Sequence, residues 1–181
     1  MTTAEPGSER LRVFFALWPA ATVARRLHAL ARTLQRECGG RTMRTETLHL
    51  TLAFLGDQTP ERVGESVEIA RRIEFAPFTL RMDTVGCWMH NHIVWAGCTV
   101  PPPELAALAA SLEAELGAAR FPLDKRDFAP HMTLVRNALR RPAPRPFDAV
   151  SWDVGELVLV VSQRKSDGAH YRVLERRAAK K

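Results

Sequence analysis

The sequence has only three cysteines, Cys38, Cys87 and Cys98, widely spaced and with no C-x-x-C pair among them. That leaves neither a disulfide framework nor a structural zinc site, and it fits a reducing compartment. Long apolar runs are missing as well. Met1 to Arg10 is short and polar, carries charges of both signs and has no apolar segment behind it. A signal peptide and a transmembrane span are therefore not expected, and the cytoplasm is the expected location. An acidic excess is also absent, since the formal net charge is +6 and the pI about 9.9. The surplus is largely arginine, whose planar fork suits phosphate. A polyanionic partner is one reading of it, and a charged surface merely solvated by water is the other. What remains is ordinary: 181 residues, 46% hydrophobic, enough for a proper core in a single domain.

The chain is organised around Leu48-His49-Leu50-Thr51-Leu52-Ala53-Phe54-Leu55-Gly56 and its echo Pro130-His131-Met132-Thr133-Leu134-Val135-Arg136. On a strand, successive side chains alternate between faces, so Leu48, Leu50 and Leu52 share an apolar side while His49 and Thr51 share a polar one. The echo divides likewise, with Met132 and Leu134 against His131 and Thr133. The two histidines lie 82 residues apart (131 − 49). Sliding the chain by that amount also brings Pro19 onto Pro101, Leu30 onto Leu112 and Leu34 onto Leu116. This implies an internal duplication, each copy a strand, a proline-initiated helix and a His-x-Thr strand, with two lobes meeting across a cleft.

In chain order, residues 11 to 18 read as a buried strand closed by Pro19, followed by a helix carrying Leu27, Leu30 and Leu34 and stopped at Gly39-Gly40. The first motif strand spans about 47 to 55, and Pro60 opens a second helix through Arg72. Phe78 to Val100 alternates as a strand, a bend at Gly86 and a hairpin with Asn91 near its tip. His90 and His92 on that hairpin form an H-x-H pair, which binds metal in other settings. Here no nearby Cys, Asp or Glu completes a ligand set, and a solvated turn is the preferred reading. Glu104 to Leu116 is a third helix. Arg120 to Ala129 and Asn137 to Asp148 are loops, the second a stiff basic lip built on Arg140, Arg141, Pro142, Pro144, Arg145 and Pro146. Val154 to Val161 is a strand, Ser162 to Gly168 a turn and His170 to Leu174 a closing strand. Residues 1–10 are read as a flexible start, 11–175 as one bilobal domain and 176–181 as a frayed basic tail.

The paired motifs resemble the two HxTx motifs of the 2H phosphoesterase superfamily. Phe14 to Pro19, Leu48 to Gly56, Phe128 to His131 and the stretch from Ser162 through Gly168 to Tyr171 resemble one branch of it. That branch is the bacterial and archaeal RNA 2′,3′-cyclic phosphodiesterases, once called 2′-5′ RNA ligases, and the likeness runs from about residue 11 to 175. It implies an α+β fold of two pseudo-twofold-related lobes, each an antiparallel sheet with helices packed outside, around a central cleft. It also implies an enzyme that needs no metal and hydrolyses the terminal 2′,3′-cyclic phosphate of RNA to a 2′-phosphate, a reaction reversible in principle as 2′-5′ ligation. No other cofactor is expected, and because nothing in the sequence demands a partner subunit a monomer is the expectation.

The residue chemistry agrees with that expectation. Breaking the P–O3′ bond needs one proton taken from water and one given to the leaving oxygen, and histidine alone has an unperturbed pKa that serves both near neutrality. The sequence by itself does not say which histidine does which. The resemblance implies His49 as proton donor and His131 as proton acceptor, with Thr51 and Thr133 bonding the non-bridging oxygens; simple β-propensity also accounts for the threonines. The resemblance further implies a phosphate contact for Arg136, whose counterpart one repeat earlier is Phe54. Strict alternation would turn Arg136 away from His131, so the strand must end or bulge first. Trp88 either stacks on a terminal base or packs the hairpin. His28 reads as a boundary residue, and His170 as lining the cleft or nothing. Met43 and Arg44 stand where many relatives have an aromatic, a difference that bears on base preference. Two other activities fit the same residues: a sister reaction on a small cyclic nucleotide or a 2′,5′-linked oligonucleotide, and a non-catalytic RNA-binding module.

Overall fold

The computed structural model describes residues 10–123, 127–143, 147–165 and 168–180. The centre of the expected basic lip, Pro144, Arg145 and Pro146, lies outside the described residues, as do 1–9 of the expected flexible start, 124–126, 166–167 and 181. Among the described residues the elements run β1 (Leu11–Leu17), α1 (Ala21–Cys38), β2 (Arg41–Thr42), a 3-10 turn (Thr45–Thr47), β3 (Leu50–Gln58), α2 (Pro60–Arg72), β4 (Phe78–Met82) and β5 (Thr84–Trp88). They continue with β6 (Ile93–Gly97), α3 (Pro103–Ala118), β7 (His131–Arg136), β8 (Val150–Val154), β9 (Glu156–Lys165) and β10 (Gly168–Ala178). The fold is α+β. One antiparallel sheet has the order β10-β9-β1-β3-β7-β6-β5, with β2 also on β7, and β4 and β8 pair separately.

The large sheet is two half-sheets joined at one point. β3 meets β7 only at Leu50 opposite Met132, and these residues are counterparts 82 apart, so the pseudo-twofold passes between them. The rest of the molecule respects it. The chain passes from β4 into β5 across Asp83 alone, and from β8 into β9 across Gly155 alone. Helix α1 packs on β7 of the opposite half, and α3 on β3.

The helices form where apolar residues recur once per turn. Ala24, Leu27, Ala31, Leu34 and Cys38 make the buried stripe of α1, and Leu105, Leu108, Leu112 and Leu116 that of α3. Pro19 precedes the Ala20 cap instead of sitting in the first turn of α1, whereas Pro103 does open α3. Thr59 caps α2, its hydroxyl accepting from the Arg62 N–H, with Pro60 in the first turn where its missing N–H costs nothing. None of the described helices is long and apolar enough to cross a membrane.

Strand β1 is buried on both faces, which explains its unbroken apolar run. Val13, Phe15 and Leu17 enter the main core beneath the helices. Phe14 and Ala16 face the other way with Val158 and Val160, under Trp18, Tyr171 and Val173, and floor the cleft.

Several boundaries differ from expectation. The bend falls at Asp83, whose carboxylate holds the Thr99 N–H at 2.7 Å, and not at Gly86, which lies inside β5. The strand expected at Val154 is two strands, parted at Gly155, and Ser162 to Lys165 extends the second instead of turning. Of the residues read as a frayed tail, Arg176 to Ala178 continue β10 against β9. Beyond it the Lys180 N–H reaches the Phe75 carbonyl at 2.9 Å. Its alternating charges suit an edge strand, where they deter pairing with other chains.

Candidate active site

His49 stands one residue before β3 and His131 opens β7, so the junction of the half-sheets brings both to one cleft. Each ring is anchored in the same way. Nδ1 of His49 lies 2.8 Å from the Thr47 carbonyl, and Nδ1 of His131 lies 2.7 Å from the Ala129 carbonyl, in both cases two residues upstream. A carbonyl can only accept, so Nδ1 carries the proton and Nε2 is the nitrogen left for chemistry. Thr51 lines both recesses of the cleft, the one beside His49 and the one beside His131. Thr133 is half-buried on the same side of β7, opposite Trp95 as Thr51 is opposite Ala16.

The question posed by Arg136 is resolved by a bulge. Along β7 Thr133 faces Trp95 and Val135 faces Val94, so Leu134 is an extra residue. Leu134 and Val135 are then both buried on the core side, and Arg136 emerges in the cleft with His49 and Thr51. The same device occurs one repeat earlier. Leu52 is the extra residue between Thr51 and Ala53, and Phe54, the counterpart of Arg136, lines the same recess.

The surroundings of the two imidazoles differ. His49 is enclosed by Trp18, stacked at 4.9 Å and 15°, by Phe14 at 4.9 Å and by the edge of Tyr171 at 5.3 Å. Burial pulls its pKa down to about 4, with smaller contributions from the charges of Arg136 and His131, against the opposing hydrogen bond to Thr47. His131 meets the edge of Trp88 at 4.5 Å and Trp95 at 6.5 Å. Burial lowers its pKa too, helped by the charge of Arg136 and opposed by the Ala129 carbonyl. Of the two readings considered for Trp88 the structure shows the packing, on Trp95 at 5.2 Å, and the ring also walls the recess beside His131. Gly86 permits this: a Cβ there would stand 2.0 Å from the Trp95 ring.

The recess beside His49 has a volume of about 470 Å³ and is lined by Arg12, Arg41, Arg44 and Arg136 as well as Tyr171. Arg12 lies over the Phe54 ring at 4.6 Å, and Arg44 donates to the Ala169 carbonyl at 2.7 Å. Of the four, sequence reasoning singled out Arg136 as a site residue and noted Arg44 only as a departure from relatives. Arg12 and Arg41 passed as surface charge, and Phe14, Trp18, Phe54, Trp95 and Tyr171 were not assigned to the site. Period-two alternation from Phe15 would have turned Phe14 and Trp18 toward it.

Of the other histidines, His90 lines the recess beside His131. His92 bonds the Ala138 carbonyl at 2.9 Å and His28 the Met43 carbonyl at 2.9 Å. His170 lines a neighbouring recess with Trp18 and Tyr171. Among the described residues no three His, Cys, Asp or Glu side chains gather as metal ligands would.

Gly40 sets the arginine wall in place. Its φ is +81°, and a Cβ would lie 2.5 Å from the Arg136 carbonyl oxygen and 2.7 Å from that of Asn137. Gly40→Ala is expected to cost at least about 1–2 kcal/mol from the left-handed backbone alone, before the clash is counted. A lower urea midpoint at unchanged slope would show it; an unchanged midpoint would mean that the loop rebuilds freely.

Comparison with known proteins decides the family. The LigT-like phosphoesterase family matches residues 17–95. The RNA 2′,3′-cyclic phosphodiesterase of Escherichia coli is 35% identical over 93% of this chain and 97% of its own length. The chain belongs to the LigT-like phosphoesterases. A second member, the RNA 2′,3′-cyclic phosphodiesterase of Thermus thermophilus, is 30% identical over 92% of this chain and 89% of its own. In structure, E. coli LigT complexed with 3′-AMP matches with a TM-score of 0.88 at 32% identity, over 96% of this chain and 100% of that one. The two-lobed α+β fold expected from the paired motifs is the family's fold.

Proposed function

We propose that this chain hydrolyses the 2′,3′-cyclic phosphate at the 3′ end of an RNA to a 2′-phosphate; its relatives are named RNA 2′,3′-cyclic phosphodiesterases. Family membership makes it a cyclic phosphodiesterase. The observation that carries the mechanism is the pair of imidazoles, each with Nδ1 fixed on a carbonyl and Nε2 open to one cleft. Water attacks phosphorus in line with the P–O3′ bond. His131 takes the proton of that water, the P–O3′ bond breaks, and His49 gives a proton to O3′, leaving the phosphate on O2′. Each transfer is typically worth about 10²–10⁴ in rate. Thr51 and Thr133 donate to the non-bridging oxygens, where charge grows as the bond breaks. Arg136 holds the phosphate in the ground state, a role that a wild-type KM for Arg136→Ala would overturn.

The two histidines must be in opposite protonation states, and burial opposes the imidazolium of both. The substrate's negative charge is what installs the proton on His49, an anion beside an imidazole favouring its charged form. Trp18, stacked on the ring, adds a π face for that cation.

A pH dependence follows. For the free protein, kcat/KM reports the two apparent pKa values of the pair. Both lie below the ordinary value of 6.5, one near 4. The singly protonated pair is most populated between them, so kcat/KM should peak on the acid side of pH 6.5 and fall as pH rises further. A maximum above pH 7 would show that other groups carry the protons.

The test of the activity is an end-labelled RNA oligomer with a 2′,3′-cyclic phosphate, incubated with the protein in EDTA. The position of the product phosphate is then read by digestion. A 2′-phosphate is the expected product. A 3′-phosphate, or an untouched end with a mononucleotide cyclic phosphate opened instead, would overturn the reading in favour of a sister reaction.

A further inference from the structure

Resting on the reading above, we propose that the arginine wall beside His49 is a second anion subsite, which takes the phosphodiester immediately upstream of the cyclic phosphate. The chain would then act on polynucleotide ends in preference to a mononucleoside cyclic phosphate.

The argument begins with a like-charge pair. Strand β2 is two residues long, and its first, Arg41, stands directly opposite Arg136 of β7. Like charges in that position destabilise a sheet. Among the described residues no carboxylate pairs with either guanidinium, and both line the same recess. The backbones of the pair are held together by the left-handed turn at Gly40, which packs against the Arg136 carbonyl, so the two charges are brought together by the fold. Arg12 joins from β1, fixed over Phe54 and only 4.0 Å from Asp57 at its nearest. Arg44, tied to the Ala169 carbonyl and lying 3.3 Å from Glu46, closes the far side. No side chain lining the recess is acidic.

A cyclic phosphodiester carries one negative charge, which Arg136 suffices to balance. Arg41, beside which no carboxylate pairs among the described residues, is left to balance another anion. On an RNA ending in a cyclic phosphate, the nearest one is the diester joining the last two nucleosides. The opposite recess does not suit it. Around His131 the lining includes Trp88, Ile93 and Phe128 together with the carboxylates Glu113 and Asp127, a surface for an uncharged, flat group. The phosphates therefore run along the His49 side, each guanidinium offering charge-assisted hydrogen bonds to a diester oxygen.

The test uses three substrates with the whole chain: adenosine 2′,3′-cyclic phosphate, the dinucleotide ApA ending in a 2′,3′-cyclic phosphate, and that dinucleotide with an uncharged methylphosphonate linkage. The charged dinucleotide is expected to have the highest kcat/KM, by about tenfold or more, the usual worth of a hydrogen bond to a charged group. Arg41 is exposed, and in Arg41→Gln that advantage should collapse by a similar factor, while Arg41→Lys retains part of it. Equal rates on the charged and methylphosphonate dinucleotides would overturn the proposal. So would an Arg41→Gln protein that loses the same factor on all three substrates, which would place Arg41 at the scissile phosphate. If the wild type opens none of them, the functional reading fails on its own. Calorimetry with the dinucleotide 2′-phosphate and its methylphosphonate counterpart then decides the subsite, equal affinities overturning it.

Discussion

His49→Ala and His131→Ala should each lower kcat by about 10²–10⁴ on an RNA cyclic phosphate, with little change in KM. The double variant should fall scarcely further than the weaker single one, because the two protons move in one reaction and either loss disables it. Removing His49 also vacates the space between Phe14, Trp18 and Tyr171, so circular dichroism and a thermal melt belong beside the kinetics. The roles are separable by chemistry. Replacing O3′ with sulfur gives a leaving group that departs as the thiolate and needs no proton. On that substrate His49→Ala should recover most of its rate and His131→Ala none. The opposite pattern would exchange the donor and the acceptor while leaving the reaction intact.

The exchange is a real question because the deeper imidazole is the proposed donor. His49 sits near pKa 4 in the free protein, which suits a base at neutral pH. On the proposed assignment it serves as an acid only when phosphate is bound beside it. Proton loading is then coupled to substrate binding, and the charge of Arg136, which disfavours both imidazolium ions, makes that coupling stricter.

Much of this could be read from the sequence, and what could not has identifiable causes. The paired His-x-Thr strands were legible because one short pattern fixes both the period and the chemistry. The repeat of 82 proved to be a symmetry element, with Leu50 on Met132. Arg136 was named through the resemblance, with the condition that the strand end or bulge before it. Which of the two happens was not legible, since a bulge at Leu134 leaves no mark in a run of apolar residues; its consequence, two consecutive core residues, is visible in the fold. Arg41 was hidden for a different reason. Its position depends on β2, two residues long and paired with a strand almost a hundred residues away, a contact no local pattern announces. Gly86 was misread as a bend, because glycine marks both turns and close approaches, and here the approach is that of the Trp95 ring. The end of β10 was misread because an edge strand rich in charge looks like a tail until its partner is known.

The second large effect concerns the threonines. Thr51→Val and Thr133→Val keep the shape and remove the hydroxyl. If each hydroxyl donates to an oxygen that gains charge only as the P–O3′ bond breaks, each substitution should lower kcat by about 10²–10³, the range for one lost donor of an oxyanion site, with KM nearly unchanged. Serine at either position keeps the hydroxyl and should restore most of the rate. The competing account, that threonine is there for its preference for strands, predicts the reverse order. Valine favours strands at least as well and serine does not, so the valine proteins would stay active and stable while the serine proteins lost stability. Thr51 is the sharper of the two tests. It lines both recesses, the one beside His49 and the one beside His131, so a phosphorus placed between the proposed donor and the proposed acceptor would lie near its hydroxyl. An active Thr51→Val protein would move the phosphate away from the junction of the half-sheets and with it the division of labour between His49 and His131.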